Sequence, residues 1–171
     1  METPTMTAER IDRGSTPTTA IYSEGGDLVF ERTFDAPRER VWTAFTDPEI
    51  VPRWWGPHGT TTTVAEMDVR PGGKWRYVNS APDRDDVTFY GEYQDVAPID
   101  RYEWTFMFDV EGVGPMGGPE SYSFEDLGGR TKVVSVGHFD SVESIDGALS
   151  TGMVEGAIET WDRLEAVLAE G

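Results

Sequence analysis

The chain has 171 residues, 32 acidic against 14 basic, a formal net charge of −18, and no cysteine. That length suits one domain with a substantial core. The missing cysteines exclude a disulfide framework, a thiolate metal site and a cysteine nucleophile, and two isolated histidines, His58 and His138, exclude a multi-histidine metal site.

Residues 1–26 are rich in Thr, Ser, Pro and Gly and carry few large apolar side chains. They read as a flexible tail ending at Gly25-Gly26, with the domain proper spanning 27–171. Leu28 to Phe34 is a first strand. Asp35-Ala36-Pro37 then starts a helix, with Pro37 in the first turn and Asp35 near the positive end of the dipole. Val41, Trp42 and Phe45 form its inner face. Asp47-Pro48 restarts a second short helix that runs to about Trp54.

A turn-rich segment follows, with Trp54 and Trp55 adjacent before Gly56-Pro57. Thr60 to Arg70, Lys74 to Asn79 and Val87 to Val96 alternate as strands. Trp75 and Tyr77 share one face of the second, and Phe89, Gly91 and Tyr93 one face of the third. Tyr102, Trp104, Phe106 and Phe108 alternate with Glu103, Thr105 and Met107, which makes the most aromatic strand face of the chain. Gly112 to Gly118 reads as a glycine-rich loop. Tyr122 and Phe124 lie on one face of the next strand, and Arg130 to Phe139 is the last. Ser141 to Thr151 reads as a linker. Met153, Ala157, Trp161, Leu164 and Leu168 then recur at steps of three and four on one face of a long helix. The pattern predicts an α+β fold in which one curved antiparallel sheet is covered by this C-terminal helix.

Four stretches together resemble a known family. They are Phe34-Asp35-Ala36-Pro37 with Trp54-Trp55-Gly56-Pro57; Met67 to Arg76; Phe89-Tyr90-Gly91-Glu92-Tyr93; and Thr151 to Gly156 with Trp161-Asp162-Arg163-Leu164. In this order, over about residues 28–169, they resemble the START-like (SRPBCC) superfamily, in the branch named after the activator of the heat-shock-protein-90 ATPase. The resemblance implies a helix-grip fold: six or seven antiparallel strands gripping the C-terminal helix, with a cavity between, and two short helices after the first strand. It does not choose among the lipid carriers, receptors, aromatases, cyclases and co-chaperone domains that share the fold.

The candidate site residues are therefore those that alternation points toward the helix. They are Trp75, Tyr77, Phe89, Tyr93, Trp104, Phe106, Phe108, Tyr122 and Phe124 from the strands, and Met153, Ala157 and Trp161 from the helix. Trp54 and Trp55 stand at a possible mouth, and His138 near the end of the last strand. The residues alone fit either a packed core or a ligand cavity, since buried Trp and Tyr need partners for their N–H and O–H groups. The resemblance implies the cavity. Asp68, Arg70, Arg76 and Arg53 read as solvent-side charges. No nucleophile–base constellation, phosphate loop or metal spacing occurs, so no catalytic residue, metal or cofactor is expected.

The expected partner is an apolar small molecule of lipid, aromatic or polyketide type. An aromatase- or cyclase-type enzyme using the same cavity is the alternative. A chaperone ATPase is a third and weaker partner, because the chain lacks the additional domain of such co-chaperones. A homodimer is compatible with the pattern. The acidic surface repels nucleic acid and anionic membranes. No apolar run reaches the length of a membrane span and no signal-peptide core opens the chain, so a cytoplasmic location is expected. The charge itself fits either GC-rich composition or adaptation to high salt.

Overall fold

The computed structural model describes residues 9–170 apart from 111 and 113, and for Val110 the backbone alone. Nine strands form one antiparallel sheet: β1 (Arg10–Asp12), β2 (Ala20–Glu24), β3 (Asp27–Phe34), β4 (Thr61–Met67), β5 (Lys74–Ala81), β6 (Arg84–Ala97), β7 (Arg101–Val110), β8 (Gly114–Asp126) and β9 (Thr131–His138). Their spatial order is β1-β2-β3-β9-β8-β7-β6-β5-β4. Three α-helices, α1 (Arg38–Thr46), α2 (Val142–Leu149) and α3 (Met153–Ala169), and a 3₁₀ turn at Val51–Arg53 complete the fold.

The strand count is nine, not the expected six or seven. Part of the difference comes from the segment read as a tail. The β2 and β3 strands are joined by a turn in which Gly25 adopts φ +58°, a left-handed conformation suited to glycine. Once the chain reverses there, β2 pairs with β3 from Ala20–Glu31 to Glu24–Asp27. Ile21, Tyr22 and Ser23 are all buried, so both faces of β2 are covered at its centre. Residues 10–24 are therefore a structured part of the sheet. Residues 1–8 of the expected tail lie outside the described residues. The glycine-rich stretch expected as a loop is also strand, since β8 begins at Gly114 opposite Val110. The expected linker contains α2, capped by the Ser141 Oγ, which accepts from the Ser144 N–H at 3.1 Å.

The α1 helix buries Val41, Ala44 and Phe45, which recur at helical spacing. Phe45 meets Trp54, Tyr122 and Phe124, so the helix sits over β7 and β8.

One stripe of α3 faces the sheet, and its burial is graded along the helix. Trp161, Leu164 and Leu168 are buried, whereas Met153 and Ala157 are only half-buried. Trp161 packs edge-on against Phe30 and Phe34 of β3, at 6.3 and 5.8 Å between ring centroids. Beside them Arg32, on the same sheet face, donates to Asp162 at 2.8 Å and Glu165 at 3.2 Å. The Arg32 side chain is 1% exposed and its two acidic partners are half-exposed, so this is a cation drawn under a helix by carboxylates at i and i+3.

Ile21→Ala is expected to cost roughly 2–5 kcal/mol by the usual loss for a buried aliphatic. Denaturant unfolding measures it. A cost below about 0.5 kcal/mol, the range of surface changes, would mean that β2 is not part of the cooperative sheet.

Candidate functional site

Cross-strand registry brings the aromatic strand faces together. Successive partners share a face, so alternation on β5 to β9 builds rows that run across the sheet. One row is Tyr77, Phe89, Phe108 and Met116. A second is Tyr93, Trp104, Glu120 and Gly137. A third is Tyr102, Tyr122 and Ser135. This is the face that carries Phe30 and Phe34, and hence the face covered by α3.

Much of the wall is packed ring on ring. Trp75 and Trp104 stack with centroids 4.0 Å apart, and the Trp75 indole N–H donates to the Thr105 carbonyl at 3.1 Å. Trp75 reaches that carbonyl across Gly91, its register partner, which offers no side chain in the way. Tyr77, Tyr93 and Tyr102 are nearly fully buried around the pair. Phe89, Phe106, Phe108 and Tyr122 are half-buried.

The remaining sequence candidates separate. Trp54 is core: it packs on Phe45 at 4.8 Å and donates to the Ala44 carbonyl at 2.9 Å. Trp55 is half-buried and joins the wall, edge-on to Phe89 at 4.7 Å and Tyr77 at 5.4 Å. Phe124 belongs to the α1 contact with Trp42 and Phe45. Trp161 meets Phe30 and Phe34 of β3 instead of the wall, three strands from Trp104 on β7. His138 is not brought to the wall. Its parity puts it on the outer face, where it is exposed and its Nδ1 lies 2.7 Å from Asp27 Oδ1. Asp68 and Arg70 form an exposed pair at 2.8 Å, on the solvent side as expected.

One residue absent from the sequence candidates stands at the middle of the wall. Glu120 points inward and accepts from the Trp104 indole N–H at 3.0 Å. Burial pushes its carboxyl above the ordinary glutamate range, with the Trp104 and Tyr122 hydrogen-bonding groups pulling back the other way. Burial likewise holds the Tyr77, Tyr93, Tyr102 and Tyr122 hydroxyls above the usual phenolic range. The Tyr93 Oη is buried with no hydrogen-bond partner. Glu120 and Tyr122 are both half-buried, with burial the main cause that raises each pKa. Glu120 shares the parity of Tyr122 and Phe124, and that was the signal in the sequence.

Two pockets lie away from this wall. One, of about 240 Å³, is a groove between α1 and the end of α3. The other, of about 530 Å³, is an open hollow between the Pro57–Thr60 turn and the β5–β6 turn. Among the described residues no group of three or more His, Asp or Glu side chains is placed to hold a metal ion. No helix among them is long and apolar enough to cross a membrane.

A family model described as "Activator of Hsp90 ATPase homolog 1-like protein" matches residues 35–169. The chain is similar to a solved Mycobacterium smegmatis protein, with 28% identity, a TM-score of 0.80, and 90% of this chain and 99% of that one covered. It is similar to a protein from Arthrobacter aurescens, with 26% identity, a TM-score of 0.80, and coverage of 89% and 92%. A Staphylococcus epidermidis protein is 26% identical with a TM-score of 0.72 and coverage of 88% and 93%. No curated protein matches the sequence.

The raised carboxyl has a signed consequence for stability. A glutamate whose folded pKa exceeds its unfolded one binds more protons in the native state, so it favours folding at low pH and loses that contribution as pH rises through the folded value. Glu120→Gln, which keeps an oxygen to accept from Trp104, is expected to match the parent in acid and to melt higher than the parent at pH 8. Calorimetric melting across pH 4–8 checks it. A difference that stays constant or shrinks as pH rises would show that the carboxylate is not desolvated.

Proposed function

The chain belongs to the family of Activator of Hsp90 ATPase homolog 1-like proteins, and from that premise we propose that it binds an apolar or aromatic small molecule between the sheet and α3. The reading includes the finer helix-grip description, with the C-terminal helix closing over a ligand space. One observation carries it. Glu120 and Tyr122 stand on the sheet face that α3 covers, where burial raises both groups' pKa, and they keep accessible surface, which supports their lining a crevice. Three features support it. The half-buried rings Phe89, Phe106 and Phe108 stand on the same face. Met153 and Ala157 leave the first half of α3 only partly seated. The Tyr93 hydroxyl has a polar atom to offer and no partner.

Burying about 300 Å² of ligand surface is worth roughly 7 kcal/mol gross. Association costs reduce this, so an unoptimised ligand binds in the micromolar-to-millimolar range.

A second reading rests on the same carboxyl. An inward acid with a raised pKa beside the Tyr122 hydroxyl can give or take a proton, and the aromatic wall can hold a flexible substrate in one shape. That arrangement suits an aromatase- or cyclase-type reaction, in which Glu120→Gln would abolish turnover while leaving binding intact.

A panel of fatty acids, flavonoids and polycyclic aromatics tests the binding reading through tryptophan fluorescence. At least one is expected to quench saturably. Phe108→Ala should weaken that ligand and Glu103→Ala, on the outer face of the same strand, should not. If no compound quenches and native mass spectrometry of freshly purified protein finds no adduct, the small-molecule reading fails.

A further inference from the structure

Resting on the reading that the interior crevice binds a small molecule, we infer that its ligand is an organic cation, an aromatic or apolar body whose protonated or quaternary nitrogen sits against Glu120. The first reason is a missing counter-ion. All 14 Lys and Arg side chains fall within the described residues. None of the ion pairs among those residues includes Glu120. Arg32, the buried cation on this sheet face, is committed to Asp162 and Glu165. A desolvated carboxylate without a partner is costly, and covering it with a neutral apolar ligand removes what solvent it has left. A ligand cation offsets that cost, and an anion adds to it.

The second reason is the ring cluster around the carboxylate's donor. Its indole donor, Trp104, has Tyr93, Tyr102 and Tyr122 rings within 5.9 Å of its own. Ring faces attract a cation by their quadrupoles, most strongly where water is excluded. On the β9 side the register partner of Glu120 is Gly137. A Cβ built there would touch the Phe139 ring at 3.4 Å, so Gly137 leaves only the space of its missing side chain between Glu120 and that ring. The unpartnered Tyr93 Oη supplies an acceptor for an N–H.

The titratable groups facing Glu120 are Tyr102 from β7 and Tyr122 from its own strand, with Tyr93 on β6 and Tyr77 on β5 beyond them. All four stay protonated through the neutral range. The neighbouring β9 side chains, Ser135 and Gly137, do not titrate, and neither do Met153 and Ala157 on the half-seated part of α3. His138 lies on the outer face, paired with Asp27.

Three probes that share a naphthalene body separate the possibilities by calorimetry: (1-naphthylmethyl)trimethylammonium, 1-naphthalenemethanol and 1-naphthylacetate. The cation is expected to bind about tenfold tighter than the alcohol, and the carboxylate weakest. Glu120→Gln should bring the cation down to the alcohol and leave the alcohol unchanged. On the parent protein, cation affinity should fall as the pH is lowered through the raised range in which Glu120 takes up a proton. The quaternary nitrogen cannot titrate, and the alcohol should stay flat. This pH arm stands even if the variant fails to fold. If the alcohol binds as tightly as the cation, or the cation shows no pH dependence, the cation inference fails and the binding reading survives. If none of the three binds, both fail together.

Discussion

The rest of the structure depends on how α3 is fastened to β3. Trp161 wedges against Phe30 and Phe34, and Arg32 reaches from between them to two carboxylates on the next turn of the helix. The two contacts reinforce each other. The rings keep water away from the guanidinium stem, and the ion pair fixes the rotation at which Trp161 points inward. Leu164 and Leu168 extend this anchor toward the C-terminus. In the first half of α3 Met153, Val154, Ala157 and Ile158 also pack against the core but stay half-buried, and the Glu159 carboxylate accepts from the His58 backbone N–H beside them. Burial of the interior between sheet and helix is therefore graded along α3.

That interior is where the costs of the fold concentrate. A wall of stacked rings gains large apolar burial, while each Tyr and Trp brings a polar atom that needs a partner. Most find one nearby. Trp75 and Trp54 donate to backbone carbonyls, and Trp104 donates to Glu120. The Tyr93 hydroxyl finds none and Glu120 has no cation. Arg32 Nε and Arg38 Nε are likewise buried without a partner, so the unmet polar atoms are spread along the helix-covered side of the sheet. The neighbouring solved proteins share the fold at 26–28% identity.

Much of this was legible in the sequence because period and parity carry it. The step of three and four through Met153, Ala157, Trp161, Leu164 and Leu168 marks the buried stripe of α3, and the alternation of Tyr102, Trp104, Phe106 and Phe108 marks the inner face of β7. What escaped depends on tertiary context. Ala20 to Glu24 sits in a Thr- and Pro-rich segment and is a strand only because the edge of β3 is there to receive it. The start of β8 is rich in Gly and Pro, residues that break isolated strands, yet β7 provides ten consecutive register partners for it. Glu120 follows Gly118 and Pro119, which mask the strand, and only its parity with Tyr122 turns it inward. His138 was read inward at the strand end, but its parity with the buried Val133 and Ser135 is odd by one residue and turns it out. The wall lay in the pattern. Its polar centre did not, since only the folded rows bring Tyr93, Trp104, Glu120 and Gly137 into line.

The α3 helix is buried most deeply from Trp161 to Leu168 and only half-buried at Met153 and Ala157. Native-state amide hydrogen exchange along this one helix tests most directly whether its stability is graded in the same way. The account predicts that amides from Trp161 to Leu168 exchange only on near-global unfolding, while those of Ala157 and Ile158, interior to the helix and still on its first half, exchange orders of magnitude faster through local opening. Uniform protection along the whole of α3 would contradict it.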